Sequence, residues 1–160
     1  MGLVANAKRV HYYLSSHLFK GVDFKGKTLL DVGGGRGVYS CITSTLGATK
    51  ATIVEPIAEG SNDKMMREFE KIKSLLPENT AKISLVNNTF QEFDSAETYD
   101  IVLFHNSINH LNEPACEKLP KDEEAQQIYQ NIFKKLVSLT HANSYVILSD
   151  ASRANIFNDL

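Results

Sequence analysis

Five short apolar runs, spaced widely enough for helices between most of them, set the strongest constraint on the fold. They lie at residues 28–32 (TLLDV), 51–55 (ATIVE), 83–87 (ISLVN), 100–104 (DIVLF) and 145–149 (YVILS). Each is continuously apolar or β-branched and ends in polar residues, which predicts strands covered on both faces, as in a parallel sheet. Residues 61–76 place Met65, Phe69, Ile72 and Leu76 on one helical face, open with Ser and Asn cap candidates and stop at Pro77. Residues 122–141 set Ala125, Ile128, Tyr129, Ile132, Phe133, Leu136 and Val137 at steps of three and four. A shorter helix over 38–46 is closed by Gly47. Strand, helix and strand in succession call for parallel pairing with right-handed crossovers, so the expected class is α/β with a doubly wound parallel sheet.

The length of 160 residues fits one domain spanning the whole chain. Apolar residues make up 42% and charged residues 22%, with a net charge of −2. A chain of this kind has no large basic field, so nucleic acid is not an expected partner. Cys41 and Cys116 show no CxxC or CxxxH spacing. We therefore expect reduced thiols in a cytoplasmic protein, without a disulfide scaffold or a metal site. No run of 18 apolar residues is present, so no membrane partner is expected. Residues 1–22 carry Lys8, Arg9 and Lys20 and no acid, a loose likeness to a transit peptide. Leu3, Val10, Leu14 and Leu18 fit better the apolar face of a helix packed on the domain, and residues 1–26 are read as a helical lid segment.

In an open parallel sheet, ligands sit beyond the carboxyl ends of the strands, where strand order reverses. This selects Asp31 with the glycines behind it, Glu55, residues 87–91, residues 105–110 and residues 150–153. The stretch LLDVGGGRGVY has four glycines in five positions. Counting from Gly33 gives Gly35 and then Val38, so the dinucleotide fingerprint G-x-G-x-x-G fails. Arg36-Gly37-Val38 likewise does not supply the Lys and Ser/Thr of a phosphate-binding P-loop.

The spacing that fits is an acid followed by glycines at every second position: Asp31, Gly33, Gly35 and Gly37, with Gly34 between them. It resembles motif I of class I S-adenosylmethionine-dependent methyltransferases, E/D-x-G-x-G-x-G, and the resemblance continues in order from about residue 27 to 150. It implies a Rossmann-like sheet, S-adenosylmethionine as cofactor and S-adenosylhomocysteine as product. Glu55, 18 residues after Gly37, resembles the acid that holds both ribose hydroxyls, with Pro56 beside it. Asn88, Thr89 and Phe90 stand where the family contacts adenine. Residues 99–104 (YDIVLF) resemble the fourth strand, followed by His105 and Asn106 as cofactor contacts. The motif I acid lies near the methionine part of the ligand, often through water. The chemistry agrees: glycine permits close backbone approach, and a carboxylate accepts two hydrogen bonds from a diol.

Methyl transfer needs mainly alignment, plus a base if the acceptor carries a proton. His110, His105 and Asp150 are the candidates for that base. His110 also has plain structural readings, as a packed or surface histidine or with Asn109 as a cap; Tyr12, Tyr13 and His17 are candidates to line a substrate pocket, although a helix face packed on the sheet explains them better. The family core ends in a two-strand hairpin beyond strand five, and only ten residues follow residue 150. We therefore expect the strand six/seven hairpin to be lacking and strand five to present an apolar edge, with either the C-terminus truncated from a longer protein or a second copy covering that edge as a homodimer. Residues 112–121 (NEPACEKLPK) are read as a loop contributing to the lid. The expected acceptor is a small molecule. The alternatives are a module that binds the nucleoside without catalysis and, disfavoured by the glycine spacing, an NAD-dependent oxidoreductase.

Overall fold

The computed structural model describes residues 7–57, 62–77 and 80–150. Five strands form one sheet: β1 (Thr28–Val32), β2 (Lys50–Val54), β3 (Lys82–Val86), β4 (Tyr99–His105) and β5 (Thr140–Ser149). The spatial order is β3-β2-β1-β4-β5, and every neighbouring pair is parallel. The chain thus builds outward from β1 in one direction and then crosses to its other side with β4. The reversal falls between β1 and β4, and the glycine stretch leaves the sheet there.

Helix α1 (Ala7–Tyr13) runs into a π-type turn at Leu14–Leu18, α2 (Val38–Thr45) links β1 to β2, and α3 (Asn62–Lys73) links β2 to β3. A 3-10 turn (Ile108–Leu111), α4 (Glu113–Lys118) and α5 (Glu123–Ser138) lie between β4 and β5. The strands alternate their side chains between two core halves. Leu29, Ile53, Ile101 and Leu103 pack with Leu14, Leu18, Phe24 and Phe69 on one face. Leu30, Val54, Val102 and Phe104 pack with Phe90, Tyr129, Ile132 and Leu136 on the other.

The strands expected from the sequence appear within a residue or two, except that β5 begins at Thr140. The helix expected over 122–141 ends at Ser138 because local side chains bind the backbone instead. Ser144 Oγ accepts from the His141 amide at 2.9 Å and donates to the Tyr99 carbonyl at 2.6 Å, while His141 Nδ1 accepts from the Asn143 amide at 3.3 Å. These bonds support the register irregularity where β5 meets the start of β4. On α5, Phe133 and Val137 do not join the apolar face as expected; they are 43% and 69% exposed.

Residues 113–118 form a helix where the sequence suggested a loop. Asn112 caps it by accepting from the Ala115 amide at 3.0 Å, and Pro114 occupies the first turn, where no amide partner is needed. In the amino-terminal segment Leu14 and Leu18 are buried as expected, whereas Val10 is 47% exposed. Leu3, Ser61 and Arg153 lie outside the described residues. On β5, Tyr145, Val146 and Leu148 are exposed. Leu103 stands fully buried in the central row, so Leu103→Ala is expected to lower unfolding free energy by about 2–5 kcal/mol in a denaturant titration.

Candidate functional site

The site starts with a carboxylate in a core row. Asp31 shares the face of β1 with Leu29, and its register partners are Ile53 and Leu103, both fully buried. Asp31 itself is 1% exposed. Its Oδ2 accepts from Ser40 Oγ, one turn into α2, at 2.7 Å. Burial first, and the nearby charge of Glu55, push its pKa up to about 6 against the pull of the Ser40 hydrogen bonds.

Beyond Val32 the glycines have different tasks. The Gly33 amide donates to the Val54 carbonyl at 2.8 Å, and the Gly37 amide donates to the Gly34 carbonyl at 2.9 Å, closing the turn that starts α2. A Cβ on Gly33 would stand 2.5 Å from Ser107 Cβ, on the turn after β4. Ser107 Oγ holds this approach by donating to the Val32 carbonyl at 2.6 Å. A Cβ on Gly34 would meet Asp31 Cγ at 2.7 Å, and one on Gly37 would meet Ile53 Cδ1 at 2.7 Å and Phe69 at 2.9 Å. Gly35 differs. At φ +52° it has nothing within 4 Å of its missing Cβ, and its amide donates to Glu55 Oε2 at 3.0 Å. Three glycines serve packing within the chain, and the fourth leaves its face open.

Two cavities meet at Gly33. The first, about 270 Å³, is lined by Glu55 and Pro56 after β2, Thr89, Phe90 and Gln91 after β3, and Asn106, Ser107, His110 and Leu111 after β4. Phe90 is buried edge-on against Phe104, with ring centres 5.5 Å apart. Gln91 donates from Nε2 to the Leu111 carbonyl at 2.5 Å, and Lys135 of α5 donates to the Gln91 carbonyl at 2.8 Å. Asn106 has φ +53°, a left-handed conformation that asparagine tolerates. The second cavity, about 220 Å³, is lined by Asp31, Gly33, Gly34, Gly35, Arg36, Val38, Tyr39 and His105.

The two histidines singled out in the sequence face different cavities. His105 ends β4 and lines the second. Its Nε2 lies 3.2 Å from the Tyr39 hydroxyl and 3.2 Å from that of Tyr13. Burial holds its pKa below the ordinary imidazole value, against a hydrogen bond to its own backbone and the charge of Asp150. His110 lines the first cavity from the 3-10 turn; it is exposed and paired through Nδ1 with Glu113. Asp150 Oδ2 accepts from the Asn109 amide at 3.4 Å. Asn88 stands on the turn with Thr89 but does not line the first cavity, and Gly37 lines neither cavity. Gln91 and Ser107, within the selected segments 87–91 and 105–110, join the site without an assigned role, and Tyr39 and Leu111 join it without having been selected. Only their places at strand ends and in the glycine stretch carried a signal. Among the described residues no three His, Cys, Asp or Glu side chains gather as a metal site, and no helix is long and apolar enough to cross a membrane.

A buried carboxylate near the end of β1, a glycine turn at the strand reversal and an acid after β2 facing an aromatic slot fit a nucleotide-type ligand on an open α/β sheet. The profile of the family described as a methyltransferase domain matches residues 6–155, and the chain belongs to that family. No curated protein matches the chain significantly. Among solved structures, a protein from Pyrococcus horikoshii OT3 is 20% identical, with a TM-score of 0.59 over 86% of this chain and 55% of its own. The N-methyltransferase NodS from Bradyrhizobium japonicum WM9, crystallised with S-adenosyl-L-homocysteine, is 11% identical, with a TM-score of 0.53 over 86% of this chain and 55% of its own. The structure titled DhpI-SAM-HEP complex is 11% identical, with a TM-score of 0.56 over 88% and 54%. The chain thus spans about half the length of these proteins, and the likeness establishes the shared fold.

The raised pKa of Asp31 carries a stability consequence. Its folded value of about 6 lies above the ordinary 3.8, so the cost of an ionised buried carboxylate is absent below about pH 4 and fully present above about pH 6. Asp31→Asn is therefore expected to gain stability relative to the unsubstituted chain as pH rises through that window, by up to about 3 kcal/mol. Denaturant unfolding of both proteins across the window measures it; a difference that does not change with pH would contradict the assignment.

Proposed function

We propose that this chain binds S-adenosylmethionine across the two cavities and transfers its methyl group to a small-molecule acceptor. The observation that carries the reading is the hydrogen bond from Gly35, which lines the second cavity, to Glu55, which lines the first: a glycine with open space at its Cβ position, with a carboxylate held on its amide. The residues present fit the cofactor. Glu55 offers two acceptor oxygens to a ribose diol, and Pro56, Phe90 and Leu111 form an apolar slot for a purine. Asp31 and the glycine turn line the cavity assigned to the methionine part, where a carboxylate faces a cationic ligand. When bound, the cofactor supplies a methyl carbon activated by its sulfonium; the chain supplies position, exclusion of water and a place for the acceptor's proton. His105 and His110 are the candidate bases, one on each cavity. The small-molecule acceptor rests on the net charge of −2, which supplies no large basic field for a polyanionic partner.

Calorimetry with S-adenosylmethionine and S-adenosylhomocysteine tests the cofactor. Saturable binding is expected, and no heat at millimolar ligand would end the reading. Glu55→Ala is expected to weaken binding by roughly 2–4 kcal/mol, because hydrogen bonds to a charged group are worth about 1.5–3 kcal/mol each and add incompletely. A nearby cation favours the ionised form of Asp31, so affinity is expected to rise with pH and level off above about pH 6. Repeating the titration in buffers of different ionisation enthalpy would show the accompanying proton release. Transfer of labelled methyl groups to a panel of small amines and hydroxyl compounds tests catalysis. Binding without transfer across the panel would favour a non-catalytic module.

A further inference from the structure

At the second cavity, His105 carries two phenol partners that the proposed function leaves without a role. Tyr13 at the end of α1 and Tyr39 in α2 both bring a phenol oxygen to within 3.2 Å of one atom, His105 Nε2. The Tyr39 ring also lies against the imidazole at 4.4 Å, and the Tyr13 ring stands nearly perpendicular to it at 6.3 Å. An imidazole nitrogen has a single in-plane position, either a lone pair or an N–H. With the ring proton on Nδ1, the tautomer taken for the proposal, Nε2 presents its lone pair to both hydroxyls. Two phenols therefore compete for one lone pair. The Tyr13 hydroxyl has an alternative partner in Ser149 Oγ at 3.4 Å.

Resting on the methyltransferase reading, we propose that Tyr13 and Tyr39 are positioning residues for an acceptor-side base, His105. Their hydroxyls hold the ring with its lone pair directed to the glycine-turn cavity, and an acceptor hydroxyl or ammonium displaces one phenol and gives its proton to Nε2. In the balanced step, the acceptor's freed electron pair forms the bond to the methyl carbon, the pair of the broken carbon–sulfur bond stays on sulfur, and the proton leaves on the imidazole. The amino-terminal helix thereby contributes a side chain to the reaction site instead of only covering it. The ionisable groups facing this imidazole are Tyr13 from α1, Tyr39 from α2, Asp31 from β1 through Tyr39, and Asp150 after β5. His17, against the Tyr13 ring, is one step removed.

Tyr13→Phe and Tyr39→Phe keep the rings and remove only the hydroxyls. Proton–carbon NMR of the imidazoles, with His105 assigned by His105→Gln and pH varied across its titration range, reads the effect. Phenols that donate to a neutral ring stabilise it, so each substitution is expected to raise the His105 pKa, and the double variant to raise it further. Preserved amide spectra show that each variant is folded. An unchanged or lowered pKa would overturn the proposal. Calorimetry with S-adenosylhomocysteine separates this from the wider reading: Tyr13→Phe, at a residue that lines neither cavity, is expected to bind within about threefold of the unsubstituted chain, since a neutral hydrogen bond to the ligand would shift affinity by up to roughly tenfold. A tenfold loss in this variant would place the Tyr13 hydroxyl on the cofactor and overturn its acceptor-side role. Failure of the unsubstituted chain to bind would end the methyltransferase reading, while the pKa comparison still decides the arrangement of the cluster.

Discussion

The arrangement depends on a carboxylate standing where the sheet would otherwise place a hydrophobe. Asp31 occupies the row of Ile53 and Leu103, at the last pleat before β1 turns out of the sheet. A buried carboxylate costs stability unless it is bonded, and the Ser40 hydroxyl answers part of that need. The bond also fixes the first turn of α2 against the strand end. Gly34 is small because its Cβ position is taken by this same carboxylate and by Ile53. The path of the turn is thus set from below by Asp31 and from the side by Ser107 on the neighbouring strand's exit.

From that turn the site divides at Gly33. On one side lie an aromatic wall and an acid; on the other lie Asp31, Tyr39 and His105. Strand β4 serves both sides. Its final residue is His105, and the next two residues, Asn106 and Ser107, reach the first cavity. The left-handed backbone at Asn106 is the pivot between them, tied down by its amide donating to the Ser149 carbonyl at 2.7 Å. Three consecutive residues of one chain segment thus contribute to both cavities.

Much of this was legible in the sequence because strands buried on both faces leave continuous apolar runs, and the rule for open sheets locates ligands from those runs alone. Asp31, Glu55, Phe90 and His105 fall where strand ends place them. What escaped depends on contacts between distant segments. Tyr39 lay within the stretch that drew attention, but nothing local tells that its hydroxyl meets a histidine 66 positions away. Tyr13 reads as a helix face until β4 is placed beside it. Gly33, Gly35 and Gly37 look equivalent in sequence, and only the neighbours Ser107 and Phe69 separate those that relieve crowding from the one that is open. The residues 113–118 were misread as a loop because Pro114 signals a break, whereas behind the Asn112 cap it begins a helix.

The hydrogen bond between the Gly35 amide and Glu55 has a consequence for how a ligand is received. A free carboxylate on a strand exit samples several rotamers, and fixing it upon association subtracts from affinity. Here the fold has already restricted that side chain, using an amide of the turn across which a ligand would lie. Much of the ordering is completed during folding. A ligand that bonds to this carboxylate would meet it already oriented, so association there would require little new ordering of the chain.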